Sequence, residues 1–278
     1  MTAATPETLY LDLLKKCLTR FIFTERIYEP VVPPRGSLPG ALKRYLQNWL
    51  CASGQIELVR VHPFDPTARE EGRGWRGDAE TMIGLKRLDN LQYCVTEALR
   101  RGVPGDLIET GVWRGGATIF MRAILKVDGD TGRVVWVADS FRGLPKPDPD
   151  RFPADAGDRH WTQPELAVSL DGVKTNFALY GLLDNQVRFL VGWFRDTLPT
   201  APIDRLAVLR LDGDMYESTM DALQSLYPKL SRGGYVIVDD YGAVAGCRAA
   251  VEDFRAEHGI TEEVERIDWT GIFWRRLR

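Results

Sequence analysis

Two pairs of aspartates follow two apolar runs in the second half of the chain. Asp212 and Asp214 come after the run LAVLRL, and Asp239 and Asp240 come after the run YVIV. Four clustered carboxylates repel one another unless a cation neutralises them, and Mg²⁺ prefers such oxygen ligands. Helix or turn capping is the alternative, but it explains only one acid of each pair. We therefore predict a Mg²⁺ site formed by these four residues.

A glycine turn preceded by an acid follows an earlier apolar run. Glu109, Thr110 and Gly111 lead into Gly115 and Gly116, which open the next predicted helix. The spacing GxxxGG lacks the GxGxxG cradle for a dinucleotide phosphate, and a carboxylate here would repel a pyrophosphate. An acid at this position suits a ligand with a positive group, such as the ammonium of S-adenosylmethionine. The alternative is a tight strand–helix turn with a solvated glutamate.

A further acid ends the next predicted strand. Asp139 closes the run VVWVAD and lies 30 residues after Glu109, which is about one strand–helix–strand step. An acid at the tip of this strand can accept both ribose hydroxyls of a bound nucleoside. NAD and S-adenosylmethionine both use this arrangement, so Asp139 indicates an adenosine ribose and no more. The alternative is an aspartate that caps the following turn.

A segment rich in proline and acid follows this strand. The stretch Pro145–Pro164 contains five prolines and few aliphatic residues, so we expect little to anchor it in a core. Such an insertion is typical of a mobile lid over an active site. His160 lies in this segment and is a candidate general base for a substrate hydroxyl, the alternative being a surface histidine.

Strands and helices alternate from residue 79 onward, and this alternation must position the acids. The predicted strands are Asp106–Thr110, Val134–Asp139, Val187–Val191, Leu206–Leu211 and Tyr235–Asp239. The predicted helices are Ala79–Arg101, Ala117–Val127, Leu170–Gly181, Tyr216–Leu230 and Cys247–Glu257. Continuous apolar strands between helices indicate a parallel sheet covered on both faces. Two adjacent strand-like runs at the end, Val264–Asp268 and Gly271–Leu277, predict an antiparallel hairpin.

This layout predicts the fold class. We expect an α/β fold of the class I methyltransferase (Rossmann-like) type, with a mostly parallel seven-stranded sheet that ends in a β-hairpin. The methyltransferase domain should span residues 79–278, with the lid at about 144–165. Residues 1–78 should form a helical and loop extension, with helices at Leu9–Phe23 and Ala41–Leu50. We expect this extension to cap the catalytic domain and to contact a partner subunit in a homo-oligomer, a dimer or higher.

Composition excludes several other classes of protein. The chain has 278 residues and a formal net charge of −3, from 36 basic and 39 acidic residues, so it lacks the charge typical of nucleic-acid binding. No stretch of about 18 apolar residues indicates a membrane span. The four cysteines lie far apart without a CxxC pair, which argues against a zinc finger or disulfide scaffold and favours a reducing cytoplasm.

Several long motifs resemble one family. The runs ETGVWRGGATIFMRAIL, VWVADSFRGLP, RFLVGWFRDTLPTAP, LRLDGDMYEST and YPKLSRGGYVIVDDYG are similar to the macrocin O-methyltransferase family. The resemblance covers about residues 79–278 and includes the helix LYLDLLKKCLTRFIF and the run TMIGLKRLDNLQ, but not residues 30–60. It implies an enzyme that depends on S-adenosylmethionine and Mg²⁺ and methylates a sugar hydroxyl of a glycosylated antibiotic.

The resemblance also assigns residues to sites. It implies a cofactor site that contains Met82, Glu109, Thr110, Gly111, Asp139, Ser140, Phe141, Gly192 and Trp193. It implies metal-site motifs at Asp212, Asp214, Asp239 and Asp240. The general base stays open between Asp212, Asp214 and His160. Among the tryptophans, we expect Trp161 to form an apolar wall for the substrate.

Three other functions compete with this interpretation. A Mg²⁺-dependent O-methyltransferase of the catechol type would also place acids after these strands. An NAD-dependent oxidoreductase would share the ribose-binding acid, but the missing GxGxxG and the terminal hairpin argue against it. A non-catalytic scaffold on a methyltransferase fold is disfavoured because acids stand at every motif.

Overall fold

A seven-stranded sheet forms the centre of the protein in the computed structural model, which describes residues 5–24, 27–30, 41–42, 45, 49, 59–74 and 77–278. Its strands are β3 (Asp106–Thr110), β4 (Val135–Asp139), β5 (Val187–Val191), β6 (Leu206–Leu211), β7 (Leu230–Val238), β8 (Glu265–Arg266) and β9 (Ile272–Arg275). The strand order is β5-β4-β3-β6-β7-β9-β8. The first five strands in this order are parallel, and β9 pairs antiparallel with both β7 and β8. The predicted fold class and its terminal hairpin are confirmed.

Helices cover both faces of this sheet. They are α1 (Pro6–Leu18), α2 (Pro66–Glu70), α3 (Leu85–Arg100), α4 (Gly116–Asp128), α5 (Leu170–Leu179), α6 (Phe194–Thr197), α7 (Tyr216–Leu226) and α8 (Ala245–Glu257). One core, between the sheet and α1, α3, α4 and α5, contains Leu107, Val137 and Val208. The other, between the sheet and α7 and α8, contains Ile108, Leu209 and Val236. Adjacent strand residues point to opposite faces, so a parallel strand between two cores is apolar throughout.

Helix α3 begins six residues later than the sequence predicted. Residues 79–84 form an irregular segment whose backbone bonds to two other elements: Glu80 donates to the carbonyl of Leu18 (3.1 Å) and accepts from the amide of Gly116 (2.9 Å). Gly84 precedes the helix, and a Cβ there would lie 2.1 Å from the carbonyl oxygen of Glu70. These long-range contacts hold the segment extended, whereas its local pattern favoured a helix.

The N-terminal extension differs from the prediction in length and in the face it buries. Helix α1 ends at Leu18 instead of continuing to Phe23, and Arg20 follows with a positive φ of 55°. Leu14 and Leu18 are buried against the sheet core, but Leu9 and Leu13 are 58% and 54% exposed. The sequence also missed an antiparallel ladder between β1 (Ile27–Pro30) and β2 (Val59–His62).

The predicted helix at residues 41–50 lies largely outside the described residues. Residues 41, 42, 45 and 49 are helical. Among the helices that the described ranges contain, none combines the length and apolar character needed to cross a membrane.

The proline-rich segment after β4 has an anchor that its composition did not indicate. It contains three short 3₁₀ turns, Pro153–Asp155, His160–Thr162 and Pro164–Leu166. The buried carboxylate of Asp155 accepts from the amides of Tyr216 (2.6 Å) and Glu217 (3.0 Å), which are the first residues of α7. One polar contact with the free amides of a helix start therefore replaces the aliphatic contacts that this segment lacks.

Candidate active site

A cavity of about 350 Å³ opens at the carboxyl edge of the parallel strands. Open α/β sheets bind ligands at this edge, because the loops that follow the strands converge there. The predicted site residues that line it are Met82, Glu109, Gly111, Asp139, Ser140, His160, Trp193, Asp212, Asp214, Asp239 and Asp240. The fold thus brings together residues that are up to 158 positions apart in the sequence.

Three of the predicted metal ligands lie close together. One oxygen from each of Asp212, Asp239 and Asp240 lies within 4.8 Å of the other two. Asp214 does not belong to this group; its amide donates to Asp240 Oδ2 (3.1 Å), and it adopts a positive φ of 57°. The spacing of the three oxygens suits a shared divalent cation with hard oxygen ligands.

Arg210 provides positive charge beneath these acids. Its guanidinium is 1% exposed, and it contacts the carboxylates of Glu109, Asp212 (2.6 Å) and Asp239. Glu109 and Arg210 are register partners on adjacent strands β3 and β6, which places their side chains beside each other on one face. Asp212 lies two residues after Arg210, so it points to the same face.

A second buried arginine reaches the same cluster from α3. Arg87 contacts Asp239 and also Asp268 Oδ2 (3.0 Å), which lies in the turn between β8 and β9. Asp239 therefore has a guanidinium at each of its two oxygens. This arrangement fixes the orientation of the Asp239 side chain before any metal binds.

Burial and mutual repulsion raise the pKa values of several acids in this cavity. Burial, then neighbouring carboxylates, raise the pKa of Asp212 to about 6 and that of Asp214 to about 7. The pKa of Asp240 is raised well above its usual value for the same reasons. Since two arginines do not balance this many acids, an added cation would stabilise their ionised forms.

His160 approaches the cavity from the proline-rich segment after β4. Its Nδ1 lies 2.7 Å from Asp158 Oδ2, and its amide donates to Asp158 Oδ1 (2.8 Å). Burial opposes protonation of this histidine, but the hydrogen bond to Asp158 and the charge of Asp214 raise its pKa above the ordinary value. The histidine is thus oriented by an acid and shares the cavity with Asp214.

Glu109 is a buried residue and not the solvated glutamate of the alternative interpretation. It is 2% exposed, and burial raises its pKa to about 8. Oε1 pairs with Arg210, whereas Oε2 is buried with no hydrogen-bond partner among the described residues. A buried carboxylate oxygen without a donor at the cavity wall fits the ammonium group of an amino-acid ligand.

Asp139 has backbone partners already. Its Oδ2 accepts from the amide of Val112 (2.8 Å), and its Oδ1 accepts from the amide of Phe141 (2.7 Å). The aspartate therefore fixes the two turns that follow β3 and β4, as the capping alternative expected. Two carboxylate oxygens offer about four acceptor positions, so ribose hydroxyls can still bind the side that faces the cavity.

Packing alone requires a glycine at position 111, whether or not a ligand binds beside it. It has a positive φ of 87°, and a Cβ there would lie 1.7 Å from the carbonyl oxygen of Asp212. The turn after β3 therefore packs directly against the loop after β6, which carries Asp212 and Asp214, and only glycine permits this approach.

Some predicted residues lie outside the cavity wall. Thr110, Phe141 and Gly192 do not line it, and the Phe141 ring instead packs near that of Phe189 at 6.3 Å. Trp161 does not line it either; it is 42% exposed, with the Lys146 ammonium 5.7 Å from its ring centroid. Trp269 lines the cavity and was not singled out from the sequence.

Arg87 and Arg210 were also missed. Arg210 did carry a usable signal, because it is the one charged residue in the run LAVLRL and lies two positions before an acid on the same strand face. Arg87, the third residue of α3, carried none, since an arginine in an amphipathic helix normally points to solvent.

The fold and the site together define a class of enzyme. A mostly parallel sheet with a terminal antiparallel hairpin, an acid near the end of each of the first two strands and a carboxylate cluster after the fourth and fifth are the features of a class I methyltransferase. Comparison with known proteins identifies the group within that class. The family model for Macrocin-O-methyltransferase (TylF) matches residues 7–276, and the chain belongs to this family.

Three similar proteins agree with this assignment. A tetracenomycin 4'-O-methyltransferase of Streptomyces olivaceus, which acts on a dimethoxyrhamnosyl tetracenomycin C, is 52% identical over 96% of this chain and 92% of its own length. The mycinamicin III 3''-O-methyltransferase of Micromonospora griseorubida is 48% identical over 99% of both chains. The solved structure of the O-methyltransferase NovP is 45% identical, with a TM-score of 0.83 over 98% of this chain and all of that one. The chain is therefore an O-methyltransferase, and its family implies S-adenosylmethionine as the methyl donor.

Loss of Arg210 should destabilise the fold strongly. In Arg210→Met, three buried carboxylates lose their shared partner, so we expect the free energy of unfolding to fall by about 3–5 kcal/mol. Urea unfolding at neutral pH measures this loss. Arg122→Met is the control, because Arg122 pairs with one partly exposed carboxylate, Asp184, away from the cavity. Equal losses in the two variants would contradict the central role of Arg210.

Proposed function

We propose that this protein transfers the methyl group of S-adenosylmethionine to a sugar hydroxyl of a glycosylated natural product, in a reaction that requires Mg²⁺. The observation that carries the proposal is the group of three aspartate oxygens within 4.8 Å of one another in a cavity that also contains Glu109 and Asp139. The relatives support the substrate class, because two of them are named for methylation of a glycosylated tetracenomycin and a mycinamicin.

The residues of the cavity divide into a cofactor side and a metal side. Glu109 and Asp139 lie at the carboxyl ends of β3 and β4 and would hold the ammonium and the ribose of S-adenosylmethionine, with Trp193 after β5 near its adenine. Asp212, Asp239 and Asp240 follow β6 and β7 and would hold Mg²⁺. When bound, S-adenosylmethionine supplies an electrophilic methyl group and Mg²⁺ supplies positive charge at the acceptor oxygen.

Asp214 is the best candidate for the general base. Asp212 has its Oδ2 occupied by Arg210 and also contributes one oxygen to the group of three that would hold Mg²⁺, so it is poorly placed to take a proton. Asp214 lines the same cavity, has no ion-pair partner among the residues described, and has its pKa raised to about 7 by burial and neighbouring carboxylates. It would take the proton of the acceptor hydroxyl as that oxygen attacks the methyl carbon. His160, held by Asp158, would receive the proton next or orient the hydroxyl.

The extension favours assembly with a second copy of the chain. Leu9 and Leu13 lie one turn apart on the outer side of α1 and are more than half exposed. Exposure is also high at Leu42 (62%), Tyr45 (69%) and Trp49 (68%), at helical spacing. Exposed apolar side chains repeated along one side of a helix are typical of protein interfaces, so we propose that the extension forms the contact of a homo-oligomer.

Metal and cofactor sites should be separable by substitution. We expect Asp240→Asn to lower kcat by about a hundredfold or more, because the metal supplies several kcal/mol of charge stabilisation, while the Kd of S-adenosylhomocysteine stays unchanged.

We expect Asp139→Ala to weaken the binding of S-adenosylhomocysteine about tenfold, since a charged hydrogen bond contributes about 1.5–3 kcal/mol, and to leave Mg²⁺ binding unchanged.

Calorimetry gives both binding constants, and mass spectrometry of products measures turnover. The acceptor panel contains 8-demethyl-8-(2,3-dimethoxy-α-L-rhamnosyl)-tetracenomycin C, mycinamicin III, demethyldecarbamoylnovobiocin and, as the competing class, a catechol. Full activity after confirmed removal of metal by EDTA would refute the Mg²⁺ requirement. Methylation of the catechol alone would replace the sugar substrate by a phenol.

The two base candidates should differ in their effect on kcat. General-base catalysis contributes about 10²–10⁴-fold, so Asp214→Asn should lower kcat within that range, with a smaller loss in His160→Ala. The Kd of S-adenosylhomocysteine should not change in either variant, because neither residue lies on the cofactor side. Wild-type kcat in Asp214→Asn together with an inactive His160→Ala would instead assign the base to His160.

Charge on the outer face of α1 should dissociate the oligomer. Leu13→Glu places a carboxylate in the proposed contact, so light scattering should report a monomer for this variant and a dimer or higher for the wild type. Leu179→Glu is the control, since Leu179 is an exposed leucine (76%) on a different helix, α5. A monomeric wild-type chain would remove the basis of this proposal.

A further inference from the structure

Trp269 occupies the end of the cavity that is farthest from the cofactor residues along the sheet. It lies in the turn that joins β8 to β9, and the register Val238↔Ile272 brings this turn to the edge where β7 ends. The strand order places β3, β4 and β5 on one side of β6 and β7, and β9 on the other side. We call Asp212, Asp239 and Asp240, the three aspartates proposed to hold Mg²⁺, the metal group. Along the sheet, this group lies between Trp269 and the two cofactor-side acids, Glu109 and Asp139.

The indole of Trp269 is held in place by the N-terminal extension. Its Nε1 donates to the carbonyl oxygen of Glu71 (2.8 Å), and the guanidinium carbon of Arg73 lies 5.4 Å from its ring centroid. The hydrogen bond occupies the one polar atom of the side chain. Because the Arg73 guanidinium lies over one face of the ring, the opposite face is the flat apolar surface of fixed orientation that remains for a ligand.

The turn that carries Trp269 is also fixed to the metal group. The Thr270 hydroxyl donates to the carbonyl oxygen of Asp239 (2.9 Å), and Asp268 Oδ1 accepts from the amides of Thr270 (2.9 Å) and Gly271 (2.8 Å). Arg87 joins Asp268 to Asp239 through its guanidinium. The distance between the indole and the reacting centre is thus set by short, buried hydrogen bonds.

We infer that Trp269 is a substrate-binding residue on which the apolar face of the acceptor's sugar ring stacks, a conclusion that rests on the proposed function. The reacting hydroxyl must reach the metal group from the side opposite the methyl donor, and the strand order puts Trp269 on that side. A sugar ring presents C–H groups on one face, and a flat indole covers them while the hydroxyls stay directed at the acids. The ring binds the acceptor and takes no part in proton transfer.

Two substitutions separate stacking from the contact with Glu71. Trp269→Leu keeps an apolar side chain but removes the flat ring, whereas Trp269→Phe keeps a ring and removes the indole N–H. We expect the leucine variant to raise the KM of the best panel glycoside at least tenfold with little change in kcat. We expect the phenylalanine variant to stay within about threefold of wild type, because a tenfold change in affinity corresponds to about 1.4 kcal/mol and a retained ring keeps most of the contact.

Direct binding is measured by calorimetry with the panel glycosides added to the protein with S-adenosylhomocysteine and Mg²⁺. The glycoside Kd should rise in parallel with KM, and the Kd values of S-adenosylhomocysteine and Mg²⁺ should not change. Tyr93→Leu is the control, since Tyr93 is a half-exposed aromatic residue of α3 outside the cavity wall, and it should leave every constant unchanged. Thermal unfolding confirms that each variant is folded.

The outcomes distinguish this inference from the proposed function. Wild-type glycoside affinity in Trp269→Leu, or an equal loss in the leucine and phenylalanine variants, would overturn stacking on Trp269. A wild-type protein that binds a glycoside without methylating it would overturn the proposed function alone. A wild-type protein that binds none of the three glycosides would overturn both.

Discussion

The contact of one buried guanidinium with three carboxylates is the interaction on which the site depends. Burying Arg210 or any of its partners alone would cost several kcal/mol per charge, and their mutual contacts offset that cost only when the geometry is good. The geometry is supplied by strand register, because Glu109 faces Arg210 across β3 and β6 and Asp212 follows on the same face. The sheet must therefore keep this register for these carboxyl groups to keep their guanidinium partner inside the protein.

The same contact connects the two halves of the proposed chemistry. Glu109 belongs to the cofactor side and Asp239 to the metal side, and Arg210 touches both. Gly111 adds a second connection, since its backbone packs against the carbonyl of Asp212 where no side chain fits. Charges that would otherwise drive the strand ends apart are thereby held together at one edge of the sheet.

Local pattern predicted the elements of the sheet well, because a buried parallel strand is marked by its own residues. Asp106–Thr110 and Leu206–Leu211 have the predicted bounds, and the acids after the strands meet because parallel strands end at one edge. What local pattern could not supply were contacts between distant segments. The start of α3 depends on the close packing of Gly84 against Glu70. The position of the proline-rich segment depends on the contact of Asp155 with the start of α7. The placement of Trp269 is a further example, since nothing within its turn indicates the contact with Glu71, which lies 198 positions earlier in the sequence.

The two ends of the cavity are consequently built in different ways. The end that holds Glu109 and the metal acids is formed by strand termini, whose positions are fixed by the register of the sheet. The other end, where we propose that the acceptor binds, is formed by segments attached to that framework. These are the turn with Trp269, the residues around Glu71 and the proline-rich segment with His160. The turn with Trp269 is linked to Asp239 through Thr270 and through Arg87, so a change there would reach the ion pairs beneath the acids. The proline-rich segment is attached to the start of α7 instead. On the proposed function, this segment is therefore where acceptors as different as a tetracenomycin and a mycinamicin, the compounds for which two relatives are named, would be accommodated with the least effect on those ion pairs.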